Sequence, residues 1–191
     1  ATDYPERKWE EYKALDPNSL DVLIMGPSTA YHSLDPNLME EMTGLSVFNM
    51  GSPLQKPRES YYVLKDLIKM QKPKFLVYDF YWGVFNDEKY LNSKLFNYQQ
   101  MDPSREKLDF FFKVFTPDQY SYALFPMMVY HNSTEKVIDV LRGRVENFPE
   151  REAYREKYQG RGFDRHGQVW DGDLTGLFDL SRGTDEFLWS E

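Results

Sequence analysis

The sequence predicts an α/β fold built on a parallel sheet, and two observations predict it. Three short apolar runs, 21–25 (DVLIM), 45–50 (LSVFNM) and 74–80 (KFLVYDF), lack polar alternation, as strands covered on both faces do. Helix-like segments precede and separate them, so the first half spells helix, strand, helix, strand, helix, strand, a pattern that calls for right-handed crossovers between parallel strands. The 191 residues, 41% hydrophobic and 17% aromatic, suffice for one ordinary core and are too aromatic for a disordered chain.

Each element has a local reason. Residues 5–15 (PERKWEEYKAL) set Trp9, Tyr12 and Leu15 at helical spacing before Asp16-Pro17-Asn18 stops them. Asp35-Pro36 opens the next helix, Leu38, Met39 and Met42 give it an apolar face, and Gly44 ends it. Over 57–71 Tyr61, Leu64, Leu67 and Ile68 share a stripe, with Arg58 and Glu59 near the start and Pro73 beyond the end. From Tyr81 onward no second sheet is legible; helices are expected over 107–115, 134–142 and 151–158. The glycine- and aspartate-rich tail from Gly160 (GRGFDRHGQVWDGDLTGLFDLSRGTDEF) reads as an extended loop or peripheral flap. The expected organisation is a lead-in helix over 1–20, an α/β core over 21–100 and a helical, loop-rich cap over 101–191.

Composition excludes several functions. The net charge of −8 is spread through interleaved acids and bases with no basic stripe, which argues against nucleic acid as a partner. Absence of cysteine rules out disulfides, thiolate zinc sites and cysteine nucleophiles. No apolar run approaches the length of a membrane span, and no signal-peptide pattern opens the chain. The opening ATDYPERKWEEYKAL suits a cytosolic start or the residue of a removed amino-terminal anchor.

In open parallel sheets, ligands bind beyond the carboxyl ends of the strands, so the residues that follow each run are the informative ones. They are Gly26-Pro27-Ser28, Asn49-Met50-Gly51-Ser52 and 82–87 (WGVFND). Ser28 offers a hydroxyl; its own amide and that of Gly51 are candidate oxyanion donors, and Asn86 adds a side-chain N–H. Read blandly, Gly-Pro-Ser is a turn, and Asn49 and Asn86 cap turns. The aromatic clusters DFYW, LDFFF and DQYSYALF pack a core or form a carbohydrate platform. The first loop lacks the glycines and lysine of a phosphate cradle, and DGDLTGLFD lacks the spacing of a calcium loop, so no cofactor or metal is expected.

VLIMGPSTA at 22–30, FNMGSP at 48–53 and GVFND at 83–87, with the linking ESYYVLKDLIKMQKPKFLVYDFYW, resemble the SGNH (GDSL-like) hydrolases over about the first half of the chain. The likeness is to the branch of DltD-like and alginate-acetylation-like proteins of bacterial envelopes. It implies a flavodoxin-like three-layer fold, Ser28 as nucleophile, and Gly51 and Asn86 completing an oxyanion hole. It implies further an acylated glycan or small ester as substrate, a membrane-bound acyltransferase as partner, and a place outside the cytoplasmic membrane on an anchor not in this sequence. The chain has one more residue between Gly83 and Asn86 than the family's asparagine block. The family's terminal Asp and His stand three residues apart; here the nearest pair is Asp164 and His166, one residue closer. His131 has no acid at that offset, and His32 follows Ser28 by four residues. Two accounts of the general base result: it lies beyond Glu191 with two further strands, or His166, oriented by Asp164, folds back over Ser28. A reading of another class is a non-catalytic glycan-binding or scaffold module on the same sheet.

Overall fold

The structure, a computed structural model, describes residues 4–82, 91–125 and 157–165. Three strands, β1 (Val22–Met25), β2 (Val47–Asn49) and β3 (Phe75–Tyr78), form a parallel sheet in the order β2-β1-β3, with Val22 opposite Val47 on one side and Phe75 on the other. Helices α1 (Tyr4–Lys13), α2 (Ser28–Ser33), α3 (Pro36–Thr43) and α4 (Pro57–Leu67) alternate with them, and α5 (Leu91–Tyr98), α6 (Arg105–Val114), a 3-10 turn (Pro117–Gln119) and α7 (Tyr120–Leu124) follow. The protein is thus an α/β protein on a parallel sheet, as its apolar runs require.

Period-two alternation sends the residues of β1 to two different cores. Leu23 and Met25 join Phe48, Val63 and Leu67 of α4, Trp9 and Tyr12 of α1, and Phe110, Phe111 and Val114 of α6. Val22 and Ile24 face the other way, against Ala30, Val47, Leu34 and Met39. The larger cluster draws on residues from Trp9 to Ala123, so the lead-in helix and the segment after residue 100 pack into the same core as the sheet.

Local signals set the ends of α3. The Asp35 carboxylate accepts from Asn37 N at 2.9 Å and from Leu38 N at 3.4 Å, and Gly44 closes the helix. Which face turns inward is another matter. Leu38 and Met42 are exposed, because the helix is rotated so that Glu40 accepts from Val47 N at 2.8 Å and from the Arg161 guanidinium. In α4 the expected stripe is also displaced: Tyr61 and Ile68 are 57% and 44% exposed, while Glu59, Ser60, Val63 and Leu67 are buried. Partners on other elements explain the buried polar pair, since Ser60 Oγ lies 3.1 Å from the Tyr78 hydroxyl and Glu59 interacts with the Lys94 charge. Among the described residues β3 pairs only with β1, so its Phe75 and Leu76, expected to be covered on both faces, are 57% and 47% exposed.

The beginning of the tail corrects its reading as a peripheral flap. An antiparallel hairpin, β4 (Tyr158–Gly160) and β5 (Phe163–Asp164), is a second sheet, with Tyr158, Phe163 and Asp164 buried. Its turn docks on the sheet: Asn49 N donates to the Arg161 carbonyl at 2.9 Å, and Arg161 reaches the Val47 carbonyl at 3.0 Å. Gly162, at φ +80, sits so close to β2 that a Cβ would lie 1.7 Å from the Asn49 carbonyl oxygen. Tyr158, expected to close a helix, opens a strand instead. The helix expected over 107–115 appears as α6, whereas 134–142 and 151–156 fall outside the described residues.

Candidate functional site

The three loops that follow the parallel strands meet at one rim. Gly26, at φ +146, makes this contact close enough that a Cβ there would stand 2.9 Å from both Cβ and the carbonyl oxygen of Asp79, the residue after β3. The second loop is tied to the first through Ser52 N, which donates to the Gly26 carbonyl at 3.0 Å. Gly51 lies over the start of α2, where an added Cβ would be 3.0 Å from Ala30 Cβ. From the third loop, an Asp79 carboxylate oxygen accepts from the Thr29 hydroxyl. Ser28, first residue of α2 and partly exposed, sits between Gly26 and Thr29, both of which touch Asp79.

Hydrogen bonds to Gly51 fix the second loop. Its N–H donates to Asn49 Oδ1 at 2.9 Å, and its carbonyl accepts from Lys8 Nζ at 2.7 Å. The same Asn49 side chain donates to the carbonyls of Ala30 at 2.9 Å and Leu34 at 3.1 Å, clasping α2 to the loop. The Gly51 amide, expected as an oxyanion donor, is therefore already donated within the loop. Burial lowers the Lys8 ammonium to about 7. Beneath the first loop, Gln55 Oε1 accepts from Gly26 N at 3.4 Å, while Gln55 Nε2 and both Glu59 carboxylate oxygens are buried without hydrogen-bond partners. Burial pushes Glu59 up to about 8 against the opposing pull of Lys94.

Among the described residues Asp164 meets His32; His166, the histidine expected beside it, lies outside them. His32 Nδ1 lies 3.0 Å from the Asp164 carbonyl oxygen and 3.8 Å from Oδ2 of its carboxylate. The other carboxylate oxygen, Oδ1, is buried with no hydrogen-bond partner. Tyr31, whose ring stacks at a tilt 4.1 Å from that of His32, has its hydroxyl pushed above the ordinary tyrosine range by burial and then by the Asp164 charge. Asn86 and His166 lie outside the described residues, as does His131. The rim thus sets Gly51 against Gly26 and Ala30, which lie two residues to either side of Ser28, and the hairpin adds Asp164 against α2.

Sequence reasoning passed over Lys8, Asn49 as a clasp, Asp79 and the His32–Asp164 contact. Only Asp79 carried a readable signal, its place directly after a strand; the others depend on partners 15 to 132 residues away. Among the described residues no group of three or more metal-ligating side chains occurs, and no helix is long and apolar enough to cross a membrane. No family model matches the chain, and no curated protein or solved structure does so either.

Proposed function

We propose that the protein is a serine-dependent O-acyl esterase or acyltransferase whose nucleophile is Ser28. One observation carries the reading: three loops from separate strands converge on the turn that bears this hydroxyl, at the end of a parallel sheet where such folds bind ligands. A hydroxyl on the tight turn after a strand is open to substrate while its backbone is held, which is the arrangement acyl transfer uses. The oxyanion is met by the Ser28 amide. Gly51 contributes a side-chain-free approach, its own N–H being shared with Asn49, and Asn86 is the further donor from the third loop.

The substrate in this reading is an O-acylated glycan of the cell envelope or an exopolysaccharide, the architecture flavodoxin-like, and the place of action outside the cytoplasmic membrane beside a membrane-bound acyltransferase. These rest on the sequence resemblance. Turnover of p-nitrophenyl acetate tests the enzyme: Ser28→Ala abolishes it while shifting stability by no more than about 1 kcal/mol, as a change outside the core does. Equal turnover by parent and variant contradicts the assignment. The engagement of the Gly51 amide by Asn49 favours a second reading, a glycan-binding module without catalysis, in which glycans quench tryptophan fluorescence and no ester is turned over.

A further inference from the structure

Resting on the reading of Ser28 as nucleophile, we propose that His32 is its general base, positioned by Asp164. Ser28 and His32 stand four residues apart on α2, and such residues share one helix face with their Cβ atoms about 5–6 Å apart. Their order along the helix favours contact. Every Cα–Cβ bond of a helix tilts toward its amino terminus, so a side chain at position 32 is carried back toward the turn that bears Ser28.

The second half of the argument is the tautomer. The only hydrogen-bonding role open to the Asp164 carbonyl is that of acceptor, so the contact at 3.0 Å places the proton of a neutral His32 on Nδ1. The lone pair is then on Nε2, the nitrogen a general base needs. The hairpin holds the imidazole in this state from 132 residues away, and α2 touches β5 directly. Beside the ring lies the Asp164 carboxylate, buried, with Oδ2 3.8 Å from Nδ1 and Oδ1 without a hydrogen-bond partner. A buried carboxylate in that position gains most when the neighbouring ring becomes positively charged, which happens as the serine proton is taken.

The cycle balances with these groups alone. Ser28 Oγ bonds to the ester carbonyl carbon, its proton passes to His32 Nε2, and the carbonyl π pair moves onto oxygen. As the oxyanion collapses, the bond to the alcohol oxygen breaks and that oxygen leaves with the proton from Nε2, so Ser28 carries the acyl group. Water, or an acceptor hydroxyl, then attacks the acyl carbon and gives its proton to Nε2. The second collapse releases acid or transferred ester and returns the proton to Oγ.

A fluorophosphonate probe tests the assignment on the whole chain, with mass mapping of the labelled residue and thermal melting of each variant. His32→Asn keeps a donor near the Nδ1 position, and with it the link to Asp164, but removes the base; labelling of Ser28 slows by about 10³-fold or more with little change in melting. His32→Ala slows labelling equally and regains it, in a saturable way, when imidazole is added. Asp164→Asn lowers the maximal inactivation rate constant about tenfold or more while the half-saturating probe concentration holds, and ¹⁵N spectra of the parent show His32 protonated on Nδ1 when neutral. Labelling of His32→Asn within threefold of the parent, or no rescue of His32→Ala by imidazole, overturns the base and leaves the serine enzyme standing. A parent that does not label at Ser28 removes both.

Discussion

Lys8 Nζ donates to the carbonyl oxygen of Gly51 at 2.7 Å, so the first helix of the chain supports the turn after β2 from below. The lysine is fully buried, and its stem passes close to Gly162 as well, where an added Cβ would stand 3.2 Å from Lys8 Cδ. One side chain thus joins the amino-terminal helix, the candidate site and the hairpin.

Burial holds Lys8 at about 7, against 10.5 for an exposed lysine. Between these values the unfolded chain binds a proton that the folded chain does not. The penalty for charging Lys8 is complete below about 7 and is lifted as the pH rises toward 10.5, so stability increases with pH, at up to about 1.4 kcal/mol per unit. Urea unfolding at two pH values in the upper part of that window reads the gain. Lys8→Met loses this rise and also frees the Gly51 carbonyl; a variant that gains as much as the parent contradicts the burial of a titrating lysine.

Glu59 works in the opposite sense. Burial raises it from 4.5 to about 8, so across that interval the folded chain keeps a proton that the unfolded chain has released. Stability is greatest below about 4.5 and falls as the pH climbs to about 8, again at up to about 1.4 kcal/mol per unit. Glu59→Gln flattens this fall and is more stable than the parent above about pH 8, as denaturant titrations across the interval show.

Gly162→Ala places a methyl group 1.7 Å from the Asn49 carbonyl oxygen, at a φ of +80 that alanine resists. Neither clash nor strain can be relieved without lifting the hairpin from β2. The expected cost is about 2 kcal/mol or more, and the Asn49 amide, which donates to the Arg161 carbonyl at 2.9 Å, loses its protection from hydrogen exchange. Unchanged protection of that amide contradicts the docking of the hairpin.

What could be read from the sequence was what short-range physics decides. Asp35 and Gly44 bound α3 because caps act within a turn, Pro57 opens α4 because its fixed φ suits a first helical position, and the apolar runs become strands. Helix rotation was not legible: the inward turn of Glu40 follows from Arg161, 121 residues away, and that of Ser60 from Tyr78. The hairpin was missed for a related reason. Gly160, Arg161 and Gly162, all at positive φ, look like loop in a sequence, and the partners that hold Arg161 lie far off in it: Asn49 and Val47 on β2, Glu11 on α1 and Glu40 on α3. In the candidate site, Ser28 and Gly51 were read from their places after strands, and the bond from the Gly51 amide to Asn49, two residues before it, falls within the turn-capping reading of that asparagine, whereas the meeting of Asp164 with His32 depends on a contact that no spacing announces.

The most direct measurement is the acid-quenched mass of the protein after brief mixing with p-nitrophenyl acetate, followed by peptide mapping. The account predicts one acetyl group, carried on the Ser28 peptide, present in the parent and missing from Ser28→Ala. Acetate released at the parent rate by the variant, or an acetyl group mapped to any other residue, would contradict it.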